Sequence, residues 1–490
     1  MTYFWQDNLA KHAGFIYDAT STQTVSYSQL NQCVEVFCQS LPEKKSLIAL
    51  EASNCLASLI AYLALLRTNH CILLLEPELA GVQKQTLLAN YQVDFKVELP
   101  SDLAAPINLT AVRQHIQLVA DPANLQQISG LTYLNSAIAQ DIVLLLSTSG
   151  STGSSKLVKL SAKNLQANST AILGYLPISS TDTVVTSLPM HYSFGLSVIH
   201  THLQVGANIV LSDYSLMQKQ FWQLFKQFEP NGFYGVPFSY QLMTQLGLAR
   251  LALKSCQYFA QAGGKMSDSL TQALFDFCQK THKSLYIMYG QTEATARIAY
   301  LKPAKLPQKI GYIGQAIPGG KLKLIDENGQ PVTQTNQTGE LYYQGDNVCL
   351  GMAHNRQDLT HVNQQEWLAT GDLACFDKDG DFKIVGRLKR FIKVTGKRIN
   401  LDEVEAIVQN SNKTKLSQMQ TCVVGEDDQL IVVSNFTLTE PEYSRLVNDL
   451  AEKIAIHPKY IRQVHVNHLP CLSNGKLDYR QLLKQVKSDV

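Results

Sequence analysis

A chain of 490 residues that is 45% hydrophobic, 17% charged and formally +2 is long enough for roughly two to four structural units of ordinary globular composition. The near-balance of charge excludes recruitment to nucleic acid or an anionic membrane by bulk electrostatics; no run of ~18 apolar residues reads as a membrane span, and the opening MTYFWQDNLAKHAGF lacks a secretory pattern. Ten cysteines from Cys33 to Cys471 without a CxxC pair predict reduced thiols rather than a disulfide framework or zinc site, so the expectation is a cytoplasmic enzyme acting on small molecules.

From Ser26 to Gln39, Leu30, Val34, Phe37 and Cys38 recur at helical spacing, and the strand-like SLIALEA follows. LASLIAYLALLRT reads as a buried helix and CILLLEP as a buried strand. Helices alternating with apolar strands predict an α/β domain with parallel pairing. An apolar run from Ile142 to Leu146 then empties into Thr148, Ser149, Gly150, Ser151, Thr152 and Gly153 before Lys156. Small residues let backbone N–H groups approach a polyanion, hydroxyls add donors and a lysine adds charge, so this loop reads as a phosphate cradle, with a flexible Ser/Gly linker as the alternative. It is not the GxxxxGK[ST] P-loop, because Ser154 and Ser155 separate Gly153 from Lys156.

Ser161 is placed to cap a helix carrying Leu165, Ile172, Leu173 and Leu176, which Pro177 ends. In SLPMHYSFGLSVIHTHLQVGANIVL, Met190, His191, Tyr192, Phe194 and Leu196 around Gly195 fit either an apolar substrate pocket with polar handles or a core strand and turn. His200 and His202 lack a third ligand nearby and read as ordinary polar residues. Core helices recur at Phe221, Leu224, Phe225 and Phe228, and at Leu270, Ala273, Leu274 and Phe277. The second follows Gly263 and Gly264, which allow close approach of a planar ligand. Asp268, Ser269 and Leu270 spell a phosphopantetheine attachment triplet, but they open a helix within a large domain and are read as coincidence.

Strand-like SLYIMYG leads to Tyr289 with an aromatic face, Thr292 with a hydroxyl and Glu293 with a carboxylate suited to Mg²⁺. Asp372 can accept hydrogen bonds from ribose hydroxyls. Arg387, Lys389, Arg390, Lys393, Lys397 and Arg398 fit a solvated strand face, a nucleic-acid patch or a local anion site, and the near-neutral total charge favours the last. Asn400 with Glu403, and Thr439 with Glu442, are placed to cap helices, with strands around TCVV and LIVVSNF between them. This is an α+β unit of about a hundred residues. Near its end Lys476 follows Asn474 and Gly475 on a tight turn.

In order and rough spacing, STSGSTGSSK, MYGQTEA, TGD at Thr370 to Asp372, GRLKRFIKVTGKRI and NGK at Asn474 to Lys476 resemble the motifs of the adenylate-forming superfamily. That family includes acyl-CoA synthetases, peptide-synthetase adenylation domains and firefly luciferase, and the resemblance runs from about Ser26 to Leu483. It implies an α/β fold with a large N-terminal domain of layered sheets, residues 1–386, and a small mobile α+β C-terminal domain, residues 387–490, hinged at Lys389. It also implies two half-reactions: a carboxylate attacks the α-phosphate of Mg·ATP to give acyl-AMP and pyrophosphate, then a thiol takes the acyl group. Thr148, Ser149, Ser151, Thr152 and Lys156, with Gly150 and Gly153, are implied to hold the β- and γ-phosphates. Thr292 would hold the α-phosphate and Glu293 the Mg²⁺. Tyr289 and Gly290 would lie on adenine beside Gly263 and Gly264, with Asp372 and Arg387 on the ribose. Lys476 would bridge the attacking carboxylate and the α-phosphate, and Lys393 and Gly396 would serve the thiol step after the small domain turns.

Three positions depart from common forms of the pattern. Ser155 stands where proline often precedes the cradle lysine, and Lys389 where the hinge is often Asp. Ser193 stands where amino-acid-activating members carry the Asp that pairs with a substrate amine, so with His191, Tyr192 and Phe194 beside it an acyl acid is favoured over an α-amino acid. The acceptor is coenzyme A or, alternatively, the phosphopantetheine of a separate acyl or peptidyl carrier protein. A partner reductase or oxygenase that consumes the adenylate, and a non-catalytic nucleotide sensor, are further alternatives. The intact polar residues speak against the sensor.

Overall fold

The computed structural model describes residues 3–6, 9–100, 108–120, 137–148, 156–388, 390–395, 397–411, 421–472 and 477–488. The apolar runs found in the sequence become the centre of a seven-stranded sheet, in which Leu47–Glu51 lies parallel to Cys71–Leu75, and Cys71–Leu75 parallel to Leu144–Ser147. Parallel neighbours need a crossover, and the helix Leu56–Arg67 supplies one. Eleven of its twelve residues are buried, because it packs in a single core cluster with Ile48 and Leu50 of this sheet and with Ile16 and Ile209 of another. A helix apolar all round is stable only in such a place.

That other sheet has four strands, Gln23–Ser26, Phe15–Asp18, Asn208–Leu211 and Thr183–Val185, in that order. A third runs Gly232–Gly235, Tyr258–Gln261, Ser284–Tyr289, Ala299–Leu301 and Gln315–Ala316; its first three strands are parallel and the rest antiparallel. The predicted helices Lys219–Phe228 and Asp268–Lys280 cover it through Phe221, Phe225 and Leu274. A fourth, antiparallel sheet is Lys321–Ile325, Gly339–Gln344, Leu368–Phe376 and Phe382–Arg387.

Beyond Phe391 the chain forms a small α+β unit. The strands Thr421–Glu426, Gln429–Ser434 and Ile461–His465 are flanked by a hairpin, Phe391–Val394 with Lys397–Asn400, and by the helices Leu401–Ser411, Glu440–Ile454 and Tyr479–Ser488. It meets the larger part at the strand Phe382–Arg387, where Asn400 Nδ2 donates to Val385 O at 3.2 Å. Gly386 leaves room for that contact, since a Cβ would fall 2.0 Å from that nitrogen and displace the Asn400 side chain. Among the described residues no helix is long and apolar enough to cross a membrane.

Three helix caps form. Ser26 caps Tyr27–Cys38 reciprocally with Gln29, Ser161 caps Ala162–Leu173 with Asn164, and Glu442 reaches the Thr439 N–H at 3.0 Å. The strand-and-turn reading of the segment around Gly195 is corrected: Ser193–Val205 is a buried helix ended by Gly206 at φ +74°. Its polar residues bond within the helix, Ser197 Oγ to Phe194 O at 2.7 Å and Thr201 Oγ1 to Ser197 O at 3.0 Å, so that a polar sequence tolerates full burial. His200 and His202 lie on this helix. His200 meets the Tyr62 hydroxyl at 2.9 Å, and His202 Nδ1 lies 2.7 Å from Val198 O.

Candidate active site

The predicted phosphate loop joins two antiparallel strands, Leu144–Ser147 and Leu157–Leu160, with Ser147 opposite Leu157. Thr148 and Lys156 therefore stand at the two ends of one loop mouth, Thr148 half-buried and Lys156 exposed. Ser149, Gly150, Ser151, Thr152 and Gly153 lie outside the described residues, as do Lys389, Gly396 and Lys476. The neighbours of the last, Cys471 and Leu477, form an antiparallel bridge.

The strand Ser284–Tyr289 delivers Tyr289 and then turns sharply. A Cβ on Gly290 would sit 1.9 Å from Ala296 O, so glycine is the residue that lets the chain fold back on itself. Thr292–Ala294 forms a single 3₁₀ turn. Thr295 follows at φ +63°, ψ −57°, with Ala296 N donating to Ala294 O at 2.6 Å. This is a strained γ-turn centred on a β-branched residue. Asn347 holds it: Thr295 Oγ1 donates to Asn347 O at 2.7 Å, while Asn347 Nδ2 donates to Ala294 O at 2.8 Å and Arg297 O at 2.7 Å. The loop thereby fixes Thr292, whose Oγ1 is 3.4 Å from Ser193 Oγ. Beside it stands Glu293, half-buried and fastened through its backbone carbonyl to Cys349 N at 2.9 Å.

Asp372 is the electrostatic focus. It is 3% exposed, opposite Arg387 in the pairing of two adjacent strands. One oxygen accepts from Arg387 Nε at 2.9 Å and the other from the Tyr289 hydroxyl. Burial pushes its carboxyl up, against the lowering pull of Arg387 and of the Tyr289 hydrogen bond. Tyr289, from a strand some eighty residues earlier, and Arg387, from the adjacent strand, thus meet on one carboxylate.

Gly263, at φ +85°, and Gly264 lie just past the strand Tyr258–Gln261, and Gln261 Nε2 donates to Gly264 O at 2.8 Å. Of the predicted pocket residues, Tyr192, Ser193 and Phe194 are buried and His191 half-buried, with its Nδ1 3.3 Å from Ala52 O and its pKa lowered by burial. Lys393 lies elsewhere, exposed on the hairpin of the small unit. Among the described residues its only bonds are through its backbone, to Asp427 and Asp428. The predicted basic cluster is corrected: Arg387 pairs with Asp372, Arg390 with Asp402 and Glu405, and Lys397 Nζ donates to Ile454 O at the end of a helix. These three charges serve internal partners rather than one outward anion site.

Two positioning residues escaped the sequence reading. Asn347 carries no local signal for this role, because the loop groups it holds are some fifty positions away. Arg297 had one: a lone charge inside the apolar run ATARIAYL. Its guanidinium carbon lies 3.9 Å from the centre of the Phe194 ring.

The family model for AMP-binding enzymes matches residues 5–352. The chain belongs to the AMP-binding enzyme family. Luciferin 4-monooxygenase of Photuris pensylvanica is 27% identical over 275 residues, 54% of this chain and 49% of that protein, so this chain spans about half of that relative. The 2-succinylbenzoate–CoA ligase of Enterococcus faecalis is 24% identical over 482 residues, 95% of this chain and 94% of the relative. Among solved structures, ATP-bound MatB from Rhodopseudomonas palustris shares the fold, with a TM-score of 0.79, 19% identity and coverage of 99% and 98% of the two chains.

For an AMP-binding enzyme the donor set has the right chemistry. The Glu293 carboxylate is half-buried and, among the described residues, engages no cation, which fits an oxygen-seeking divalent ion. Thr292 adds a hydroxyl, and Asp372 adds a held carboxylate with lone pairs to spare for sugar hydroxyls.

Proposed function

We propose that this AMP-binding enzyme is an AMP-forming acid–thiol ligase that activates an acyl acid with ATP and passes it to coenzyme A. The observation that carries the reading is the convergence of Tyr289, Arg387 and Asp372, three motif residues from separate strands, on one buried carboxylate. A rigid, pre-oriented acceptor of this kind suits ribose hydroxyls, and the aromatic ring of Tyr289 would serve the base.

In the first half-reaction a substrate carboxylate oxygen forms a bond to the α-phosphorus, the bond from that phosphorus to the bridging oxygen breaks, and pyrophosphate leaves with the electron pair. Thr292 donates to the α-phosphate, while Thr148, Ser149, Ser151, Thr152 and Lys156 hold the β- and γ-phosphates. Mg²⁺, when bound, supplies charge neutralisation on the phosphates, and Glu293 is the residue that would hold it. Lys476 brings carboxylate and phosphate together. In the second half-reaction the thiol sulfur attacks the acyl carbonyl and AMP departs, with Lys393 and Gly396 presented by the small domain, residues 387–490, after rotation about Lys389. Ser193, lacking a carboxylate for an α-amine, supports an acyl acid.

The test is pyrophosphate release from Mg·ATP across a panel of fatty, aryl, hydroxy and amino acids, with and without coenzyme A. Multiple turnover on an acyl acid that rises with coenzyme A is expected. Release that stays stoichiometric and ignores coenzyme A would move the acceptor to a carrier protein, and ATP binding without release for every acid would overturn the ligase reading.

A further inference from the structure

Arg297 is 2% exposed, yet the ionisable groups around its guanidinium are tyrosines: Tyr175, Tyr192 and Tyr234. Among the described residues no carboxylate pairs with it. Its Nη1 donates to Ala296 O at 3.2 Å, and its Nε is buried without a hydrogen-bond partner. A guanidinium carries five N–H donors in a planar fork and does not lose its charge. Buried charges in proteins are paired; among the described residues this one is matched by Ala296 O, the ring of Phe194 and neutral tyrosine hydroxyls, one of which, Tyr175, hydrogen-bonds it. Burial pulls its pKa down, against a weaker raising pull from those tyrosines.

A second feature points the same way. Phe194, under the guanidinium, lies in the first turn of the thirteen-residue helix Ser193–Val205, whose N-terminus has no side-chain cap. Uncapped N–H groups and the positive end of the helix dipole favour an anion at that end. The place is tied to the reacting centre: Ser193 touches Thr292 at 3.4 Å, Phe194 is the next residue, and a Cβ on Gly290 would meet the Arg297 backbone at 2.8 Å. Thr186, Ser187, Leu188, Gly195, Val198 and Tyr234 line the adjoining recess, which in this form does not admit water.

We infer that Arg297 is the specificity-determining residue of the acid pocket, and that the acid carries a second carboxylate, which lies on the Arg297 guanidinium at the head of the helix Ser193–Val205. Ser193, 3.4 Å from Thr292, directly precedes Phe194, whose ring lies 3.9 Å from the guanidinium, and this closeness favours a short dicarboxylic acid. The inference rests on the ligase reading for where the first carboxylate goes.

The experiment compares matched pairs of acids, butyrate with succinate and benzoate with phthalate, in pyrophosphate release by the full-length wild-type enzyme and by Arg297→Met. Wild type is expected to prefer the dicarboxylate by about 100-fold or more in kcat/KM, and Arg297→Met to reduce that ratio by a similar factor. Replacing a buried unpaired charge by an apolar residue of similar length is expected to leave the melting temperature equal or higher, which a purely structural arginine would not do. A wild-type enzyme that prefers the monocarboxylates, or a substitution that lowers both members of a pair alike, overturns the inference and leaves the ligase reading standing. If Arg297→Met does not fold, the wild-type preference and the ratio in Arg297→Lys decide. Should no acid release pyrophosphate, the ligase reading fails by itself. Thermal stabilisation by the dicarboxylates in wild type but not in the variant would still support the anion site, and its absence would overturn that too.

Discussion

Asp372 divides its two oxygens between the Tyr289 hydroxyl and Arg387, and each partner can be removed separately. Asp372→Asn keeps an acceptor for Tyr289 but removes the charge. It is expected to lower kcat/KM for ATP at least about tenfold, as for loss of a hydrogen bond to a charged group, with little change in melting temperature because Arg387 is already exposed. Tyr289→Phe keeps the ring and is expected to cost about 1 kcal/mol of stability, read by denaturant unfolding. A second pair of residues sets acid sensitivity. Burial lowers His200 to about 3 and His202 to about 4. Because the unfolded chain protonates first, near pH 6.5, the stability these neutral rings contribute is complete above that value. It is lost as pH falls toward the folded values, at up to about 1.4 kcal/mol per pH unit for each ring. The variant His200→Gln with His202→Gln is expected to show a flatter stability curve between about pH 4.5 and 6; an unchanged slope would mean other groups carry the acid response.

At the level of elements, the two strands that present Asp372 and Arg387 are joined by the turn DKDGD, whose three aspartates converge on Lys309 Nζ. Lys309 Nζ lies 2.7 Å from Asp377 and Asp379 and 2.5 Å from Asp381, while Lys305 also reaches Asp381 at 2.7 Å. Lys309→Met leaves these carboxylates facing one another and is expected to destabilise by about 3 kcal/mol. Their oxygens lie within 4.8 Å of one another, so millimolar Ca²⁺ should recover part of that loss in the variant and none in wild type, measured as a melting-temperature shift. The helices and strands around this site were legible because periodicity and caps are local: Ser26, Ser161 and Thr439 each find their partner three residues on. The charges were not, because their partners are remote. Arg387, Arg390 and Lys397 read as one basic patch until Asp372, Glu405 and the end of the helix Glu440–Ile454 are brought to them. Thr292, Asp372 and Arg387 stand in recognisable motifs, whereas Arg297 showed in the sequence only as a lone charge in an apolar run, and its partner Phe194 is about a hundred positions away.

Across the whole molecule, the two lysines assigned to the two half-reactions belong to one small unit. Arg390, at the foot of the hairpin that carries Lys393, bonds Glu405 at 3.2 Å and lies 3.9 Å from the Tyr479 ring, and the Tyr479 hydroxyl donates to Glu405 at 2.8 Å. Tyr479 stands three residues past Lys476, so the segment after one lysine and the hairpin bearing the other are fastened to the same half-buried triad. On the proposed mechanism, a rotation that brings Lys476 to the nucleotide would carry Lys393 with it. This makes the half-reactions separable. Lys476→Ala is expected to lose acyl-AMP formation by at least about 100-fold while still making thioester from supplied acyl-AMP, whereas Lys393→Glu should form acyl-AMP in a single burst and then stall. Stopping the rotation with Lys389→Pro should reproduce the Lys393→Glu pattern without touching either site. Equal loss of both half-reactions in all three variants, measured by single-turnover assay, would mean that the small unit does not turn as one body.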